Sequence, residues 1–278
     1  MQYIDTQNQK VPALGYGTWQ LKGKACLKGV QKALDVGYRH IDTAQIYDNE
    51  LDVGKALNEY DIEREDYHLT TKIWMDNFPP DKFMKSLDES LNKLQTDYVN
   101  MLLLHWPDRD SDMDKTLELL VEAKKSGKAR LIGVSNYTVD LMKAAQSNTG
   151  NILATNQVEF HPFIDQGPVL EWIRRHDMFL TGYSPLSRGD VMESDVIEGI
   201  GKKYKKNSAQ VALRWALQQE RVAVIPKAAS EEHIVSNYEV FDFELTQDEM
   251  DKISALARED GRKVNPDFAP NWDTAKAA

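Results

Sequence analysis

One cysteine, Cys26, stands in 278 residues, so the chain has no intramolecular disulfide and is expected in a reducing compartment, the cytoplasm. Its neighbours Leu27 and Val30 put it in a helix-like run, as a half-buried thiol. No apolar stretch approaches the ~20 residues that a membrane span needs. The opening residues, Met1 to Gln7, lack the basic region and apolar core of a signal peptide. Basic charge is in short supply: 34 Lys+Arg against 44 Asp+Glu give a formal net charge of −10. That excludes nucleic acid or an anionic membrane as the main partner, though not a local basic pocket for a phosphate. Metal-ligand spacing is missing as well. Asp108, Asp110, Asp112 and Asp114 alternate like a calcium loop, but the turn Gly and closing Glu are absent, so a solvated acidic loop is expected. There is no nucleophile elbow, and Asn136-Tyr137-Thr138, which matches a glycosylation acceptor, carries no meaning in a cytoplasmic protein. Internal repeats, low-complexity segments and linker-like stretches are also absent.

What is present is a 41% hydrophobic fraction, enough for a large core, laid out as short apolar strands alternating with amphipathic helices. The first dozen residues predict a hairpin with its turn at Asn8-Gln9. Strands follow over 14–18, 38–42, 68–72, 98–105, 129–134, 154–158, 178–183 and 222–225. Between and after them lie helices over 27–36, 51–60, 81–94, 116–125, 139–146, 168–175, 196–204, 208–219, 231–238 and 246–257. Thr246 and Glu249 have the spacing of a capping box. Eight β–α units without a break predict an α/β fold, a (β/α)8 TIM barrel in one domain over 1–278. An N-terminal β-hairpin precedes it, and the tail from Gly261 on, rich in Pro, Asn and Asp, reads as a C-terminal loop. A doubly wound sheet is disfavoured, because Gly15-Tyr16-Gly17 has no third Gly to complete a dinucleotide fingerprint.

Function in a barrel collects at the C-terminal ends of the strands. Those ends carry Asp42, Lys72, His105, Asn136, Gln157, Tyr183 and Lys227, with Tyr47 in the loop after Asp42. Any one of them alone reads more naturally as a core residue or a structural ion pair; seven consecutive polar ends do not. A phenol titrates near ~10, too high for a good acid at neutral pH, and a neighbouring Lys72 ammonium would lower it. Asp42 would supply that ammonium's counter-charge, and His105 would orient a reacting oxygen. The set suits protonation of a carbonyl oxygen while another group attacks its carbon. Asn136 and Gln157 offer amides to hold another amide, and Tyr183 offers a flat ring. Ser230 is expected to cap a helix whose N-terminus, with Lys227 beside it, suits a phosphate.

The segments Gly15-Tyr16-Gly17-Thr18-Trp19, Asp42-Thr43-Ala44-Gln45-Ile46-Tyr47, Thr71-Lys72-Ile73-Trp74 and Leu104-His105-Trp106-Pro107 then acquire a common meaning. With Gly133-Val134-Ser135-Asn136, Thr155-Asn156-Gln157, Tyr183-Ser184-Pro185-Leu186 and Ile225-Pro226-Lys227, their order and spacing resemble the aldo-keto reductases over nearly the whole chain. The resemblance implies a reductase of aldehydes and ketones in which Tyr47 donates the proton, Asp42 and Lys72 tune it, and His105 orients the carbonyl. It implies NADPH bound extended. Trp19, Ser135, Asn136, Gln157, Tyr183, Ser184, Leu186, Lys227, Ala228, Ser230, His233 and Asn237 would be its contacts. Ser135, Asn136 and Gln157 would hold the carboxamide and Tyr183 would stack on the ring. Trp19, Trp74 and Trp106, with Tyr47, would line the substrate pocket, and the C-terminal loop would lie over the active site. Asp42 to Glu50, Thr70 to Trp74 and the tail Asp267 to Asp273 most resemble the bacterial 2,5-diketo-D-gluconate reductases, whose relatives also reduce methylglyoxal and other small carbonyls. The resemblance further implies a monomer with a small-molecule carbonyl as its partner, and no metal.

The family pattern has Ser after Ile-Pro-Lys and Arg six residues beyond that Lys, both near the cofactor's 2′-phosphate; Ala228 and His233 stand there instead. A hydroxyl is lost and a permanently charged fork becomes an imidazole, so a weakened preference for NADPH over NADH is expected. Two other functions compete. Lys72 could form a Schiff base in a lyase, or the barrel could bind cofactor as a regulatory protein without turnover. A protonated Lys72 opposes the first, and the intact Tyr47 and Lys72 oppose the second.

Overall fold

The structure, a computed structural model, describes residues 1–273. The last five residues of the expected domain, 274–278, lie outside the described chain. Strands β1 (Tyr3–Thr6) and β2 (Gln9–Pro12) form the antiparallel hairpin. Its turn is Gln7-Asn8, one residue earlier than expected. A two-residue turn of this hand needs consecutive left-handed residues, and Gln7 and Asn8 take φ of 44° and 62°.

Eight parallel strands follow, each bonded to the next: β3 (Tyr16–Gly17), β4 (His40–Asp42), β5 (His68–Ile73), β6 (Val99–Leu104), β7 (Ala129–Ser135), β8 (Leu153–Glu159), β9 (Phe179–Tyr183) and β10 (Val222–Val224). The sheet closes where the chain before and within β3 meets β10 and its end. Gly15 N donates to Val224 O at 2.8 Å, Val224 N to Ala13 O at 2.8 Å, and Gly17 N to Pro226 O at 3.0 Å. A Cβ on Gly17 would lie 2.7 Å from Ile225 O. Gly17 therefore serves barrel closure, where backbones approach too closely for a side chain, while a Cβ on Gly15 would meet the side chains of His40 and Ile225.

The surrounding helices are α1 (Gly23–Val36), α2 (Glu50–Asn58), α3 (Phe83–Leu94), α4 (Met113–Lys125), α5 (Val139–Thr149), α6 (Gly167–Arg175), α7 (Asp195–Tyr204), α8 (Ser208–Leu217), α9 (Glu231–Tyr238) and α10 (Gln247–Ser254). Helix α1 starts four residues before its expected Leu27, because the Asp52 carboxylate of α2 accepts from Gly23 N and satisfies its first turn from across the fold. The capping box of Thr246 and Glu249 closes both of its bonds. Cys26 is fully buried in the core of α1, not half-buried, and burial pushes its thiol up to about 12. Every residue of β4, β5, β8 and β10 is buried, as a strand flanked by barrel interior and helices must be. Among the described residues no helix is long and apolar enough to cross a membrane.

Candidate active site

Strand β4 carries Asp42 into the top of the barrel, where its carboxylate is almost wholly shielded. Oδ1 accepts from Lys72 Nζ at 2.5 Å, and Oδ2 from Gln157 Nε2 at 2.8 Å. Lys72 is fully buried at the end of β5, so only a paired ammonium is tolerable there. Its remaining hydrogens go to Thr43 O at 2.8 Å and to the Tyr47 hydroxyl at 3.4 Å.

Tyr47 sits on a single 3-10 turn, Gln45–Tyr47, stopped by Asp48 at a φ of 52°. The Gln45 side chain stitches this turn to its surroundings. Its Nε2 donates to Ser90 Oγ and Ser86 O, and its Oε1 accepts from Trp74 N at 2.9 Å and Asn77 Nδ2 at 3.0 Å. Asn49 holds the other side, donating to Thr18 O and Leu21 O and accepting from Thr43 Oγ1. Neither residue was among the expected site residues. Most of their partners lie tens of positions away, which leaves no local signal.

Burial pushes the Tyr47 phenol well above its ordinary value, and the Asp42 charge adds to the rise. This corrects the expectation that Lys72 makes it more acidic. In this state the ammonium's field is spent on Asp42, and Tyr47 stays protonated at neutral pH. Burial also lowers Lys72, against the pull of Asp42. His105, just past β6, is lowered well below 6.5 by burial and by the Lys72 charge, so its ring is neutral. Its Nδ1 is buried without a partner, so the single ring proton belongs on Nε2. The Tyr47 and His105 rings meet edge to face at 5.6 Å. Behind them Glu50, also absent from the expected set, accepts from Thr71 Oγ1 at 2.6 Å and is raised by burial.

Just past β7, the strand beside β6, Asn136 adopts a φ of 65°, which Asn tolerates better than most residues. Its Nδ2 donates to His105 O and Ser135 Oγ, both at 3.0 Å, and its Oδ1 accepts from the Tyr183 hydroxyl at 2.8 Å. Ser135 Oγ donates to Gln157 O. The amide N–H groups of Asn136 and Gln157 are thus engaged within the protein, and their acceptor oxygens retain free capacity. Both residues line the cavity with Tyr183, and their side-chain oxygens are acceptors that suit the N–H₂ end of a nicotinamide carboxamide.

These residues line one cavity of about 840 Å³. Asp42, Tyr47, His105, Asn136, Gln157 and Tyr183 all line it. Trp19, Trp74 and Trp106 form walls, and Ser135, Ser184, Leu186 and Lys227 also line it. The C-terminal loop does cover this mouth, through Lys263 to Pro266 and Phe268. Phe268 stands edge to face with both Trp74 and Trp106. The cavity does not include Ala228, Ser230, His233 or Asn237. Ala228 is buried and its carbonyl accepts from Tyr16. Ser230 caps α9 through His233 N, His233 is exposed, and Asn237 is buried. Glu231 and Glu232 occupy the first turn of α9, an acidic rather than a phosphate-ready start. Asp108 to Asp114 form no cluster of metal-binding groups, nor do any others among the described residues. Asp112 instead caps α4.

Residues 13–258 match the aldo/keto reductase family. The methylglyoxal reductase DkgB of Escherichia coli O157:H7 is 41% identical over 267 residues, which is 95% of this chain and 99% of that protein. The glyoxal reductase of Bacillus subtilis is 37% identical over 259 residues, 93% of each. A crystal structure provisionally described as a 2,5-diketo-D-gluconic acid reductase B superposes with a TM-score of 0.97 at 45% identity, covering 99% of this chain and 98% of that one. A point mutant of Gox0644 in complex with NADPH superposes with a TM-score of 0.89 at 32% identity, covering 95% of this chain and 96% of that one.

Proposed function

The chain belongs to the aldo/keto reductase family, and from that premise we propose that it reduces small dicarbonyls and keto-sugar acids to alcohols with NADPH. Methylglyoxal and 2,5-diketo-D-gluconate represent the two substrate types, as the relatives' names suggest. The observation that carries the reading is the chain of contacts Asp42–Lys72–Tyr47, 2.5 and 3.4 Å long, ending on a protonated phenol in the cavity opposite a neutral His105.

The nicotinamide, when bound, supplies the hydride to the carbonyl carbon. Tyr47 gives its proton to the carbonyl oxygen as that oxygen gains negative charge, a role worth ~10²–10⁴ in rate. The phenolate left behind faces the Lys72 ammonium, and Asp42 keeps that ammonium in place. His105 directs its Nε2 proton at the same oxygen, which fixes the carbonyl's orientation and stabilises charge developing on it. With that cofactor bound, Asn136 and Gln157 would accept from its carboxamide and Tyr183 would support the ring. Lys227 is a cation for the cofactor's phosphate, but Ala228 and His233 provide neither the hydroxyl nor the permanent charge that the family pattern has. With Glu231 and Glu232 alongside, NADH is accepted too.

A Schiff-base lyase is disfavoured, because Lys72 Nζ has all three hydrogens directed at Asp42, Thr43 and Tyr47 and no lone pair to offer. The test is oxidation of NADPH and of NADH in the presence of methylglyoxal, 2,5-diketo-D-gluconate and an aromatic aldehyde. Turnover with both cofactors is expected, with a kcat/KM ratio for NADPH over NADH below about 10³. His233→Arg is expected to raise that ratio about tenfold, equivalent to ~1.4 kcal/mol. A larger preference that is unchanged in His233→Ala would contradict the loosened phosphate site. Tight cofactor binding without oxidation by any carbonyl would favour the regulatory reading.

A further inference from the structure

Strand β8 sends two inward side chains to the barrel top, two residues apart and therefore on one face. Gln157 reaches Asp42. Glu159, the last residue of the strand, has partners in the tail instead and does not line the active-site cavity. Its side chain is completely buried, yet it carries a carboxylate. Oε1 accepts from Lys263 N at 2.7 Å and from His161 Nε2 at 2.8 Å, and Oε2 accepts from Val264 N at 2.9 Å. His161 Nδ1 accepts from Phe163 N, so the ring's proton lies on the nitrogen facing Glu159. Two consecutive backbone amides of the tail thus converge on one buried carboxylate.

The segment that begins at those amides is the cavity's outer wall: Lys263, Val264, Asn265, Pro266 and Phe268 all line it. Just before them the chain passes so close to Phe163 O that a Cβ on Gly261 would lie 1.6 Å from it. The tail is therefore pinned against Phe163 at Gly261 and against Glu159 at Lys263 and Val264, and the residues from there on line the mouth. We propose that Glu159 is a positioning residue for the carbonyl substrate. It hangs segment Lys263–Phe268 over the cavity and so sets substrate affinity and selectivity without touching the reacting atoms. The inference rests on the reductase reading for its kinetic consequence, but the latch itself is structural.

The chemistry requires a carboxylate. Two N–H groups from the tail and one from His161 need acceptors, and a carboxylate offers only acceptors. Glutamine in the same place would turn an N–H₂ toward one of the tail amides and leave that donor buried and unpaired, which costs more than the bond it replaces. The tail would then sample positions away from the mouth while the barrel stays folded.

Two readouts on Glu159→Gln test this. The amides of Lys263 and Val264 are expected to exchange with solvent deuterium about 100-fold faster than in the unaltered chain, with β4 to β9 amides unchanged. KM for the carbonyl is expected to rise about tenfold or more, with kcat within about threefold, the pattern of lost substrate binding. Unchanged protection at 263 and 264, or a fall in kcat at constant KM, would overturn the proposal. Should Glu159→Gln fail to fold, Glu159→Asp keeps the charge but shortens the reach by one methylene. It is judged by the same amide exchange, with wild-type protection again overturning the latch. If the unaltered chain reduces no carbonyl, the reductase reading fails while exchange at 263 and 264 still decides the latch.

Discussion

Tyr47 is a phenol held protonated, next to a histidine held neutral and a lysine held by a carboxylate. Burial imposes the first two states, and neither changes between about pH 6.5 and 8, whereas the ammonium is held by Asp42 against burial. His105 is lowered well below 6.5, Tyr47 is raised well above 10.0, and Lys72, though lowered, keeps its Asp42 partner. For a reductase this predicts a kcat/KM that is flat across that window, because the acid and the orienting group keep their protonation. A clear inflection near ~6.5 in the steady-state profile would mean that an exposed histidine, not His105, controls turnover. The residues that carry this chemistry were legible because Asp42, Lys72 and His105 stand at or beside the ends of successive strands, His105 after an apolar run. Gln45, Asn49, Glu50 and Glu159 were not legible. Each acts through partners brought near only by the closed barrel, such as Glu159 with Lys263, 104 positions on. The direction of the Tyr47 shift was also beyond the sequence, since it depends on how far the barrel top excludes water.

The elements themselves were largely written in hydrophobic periodicity, and their deviations have local causes. The segment Leu14 to Thr18 contributes only Tyr16–Gly17 to β3, with Leu14 making an isolated bridge to Val224. Close approach of Gly17 to Ile225 O leaves no room for a methyl group. Gly17→Ala is therefore expected to push β3 from the β10 end and destabilise the barrel by ~1–3 kcal/mol, the usual cost of overpacking. Denaturant unfolding checks this, and a stability within a few tenths of a kcal/mol of the parent would show that the closure is more compliant than the contact suggests. Gly23 at the start of α1 was missed because its capping carboxylate, Asp52, belongs to another helix.

For the whole molecule, three buried histidines couple folding to acid. His40 bonds Pro12 O and Thr70 Oγ1, its ring lies 4.7 Å from that of His68, and His68 Nε2 has no partner. Burial lowers His40, His68 and His105 in the folded chain. The unfolded chain therefore binds more protons as pH falls below 6.5, and stability present above that pH is lost on acidification. Glu50, raised by burial, opposes this, since it takes up a proton in the folded state. Three protons against one leave a slope of up to ~2.7 kcal/mol per pH unit below about 6. Unfolding curves at a series of pH values would show it, and stability independent of pH from 7 to about 5 would contradict the neutral assignment of these rings. The barrel as a whole was predictable from eight β–α units. The course of the tail over the mouth was legible only through resemblance, because its wall of Phe268, Trp74 and Trp106 is built from three separate segments.

The central claim is that Tyr47 delivers the proton to a carbonyl reduced in this cavity. Its most direct test compares Tyr47→Phe with the unaltered chain in NADPH oxidation driven by methylglyoxal, alongside NADPH binding measured by fluorescence. The account predicts cofactor affinity within about threefold and a loss of ~10²–10⁴ in kcat. Turnover retained to within tenfold in Tyr47→Phe, with binding intact, would contradict it.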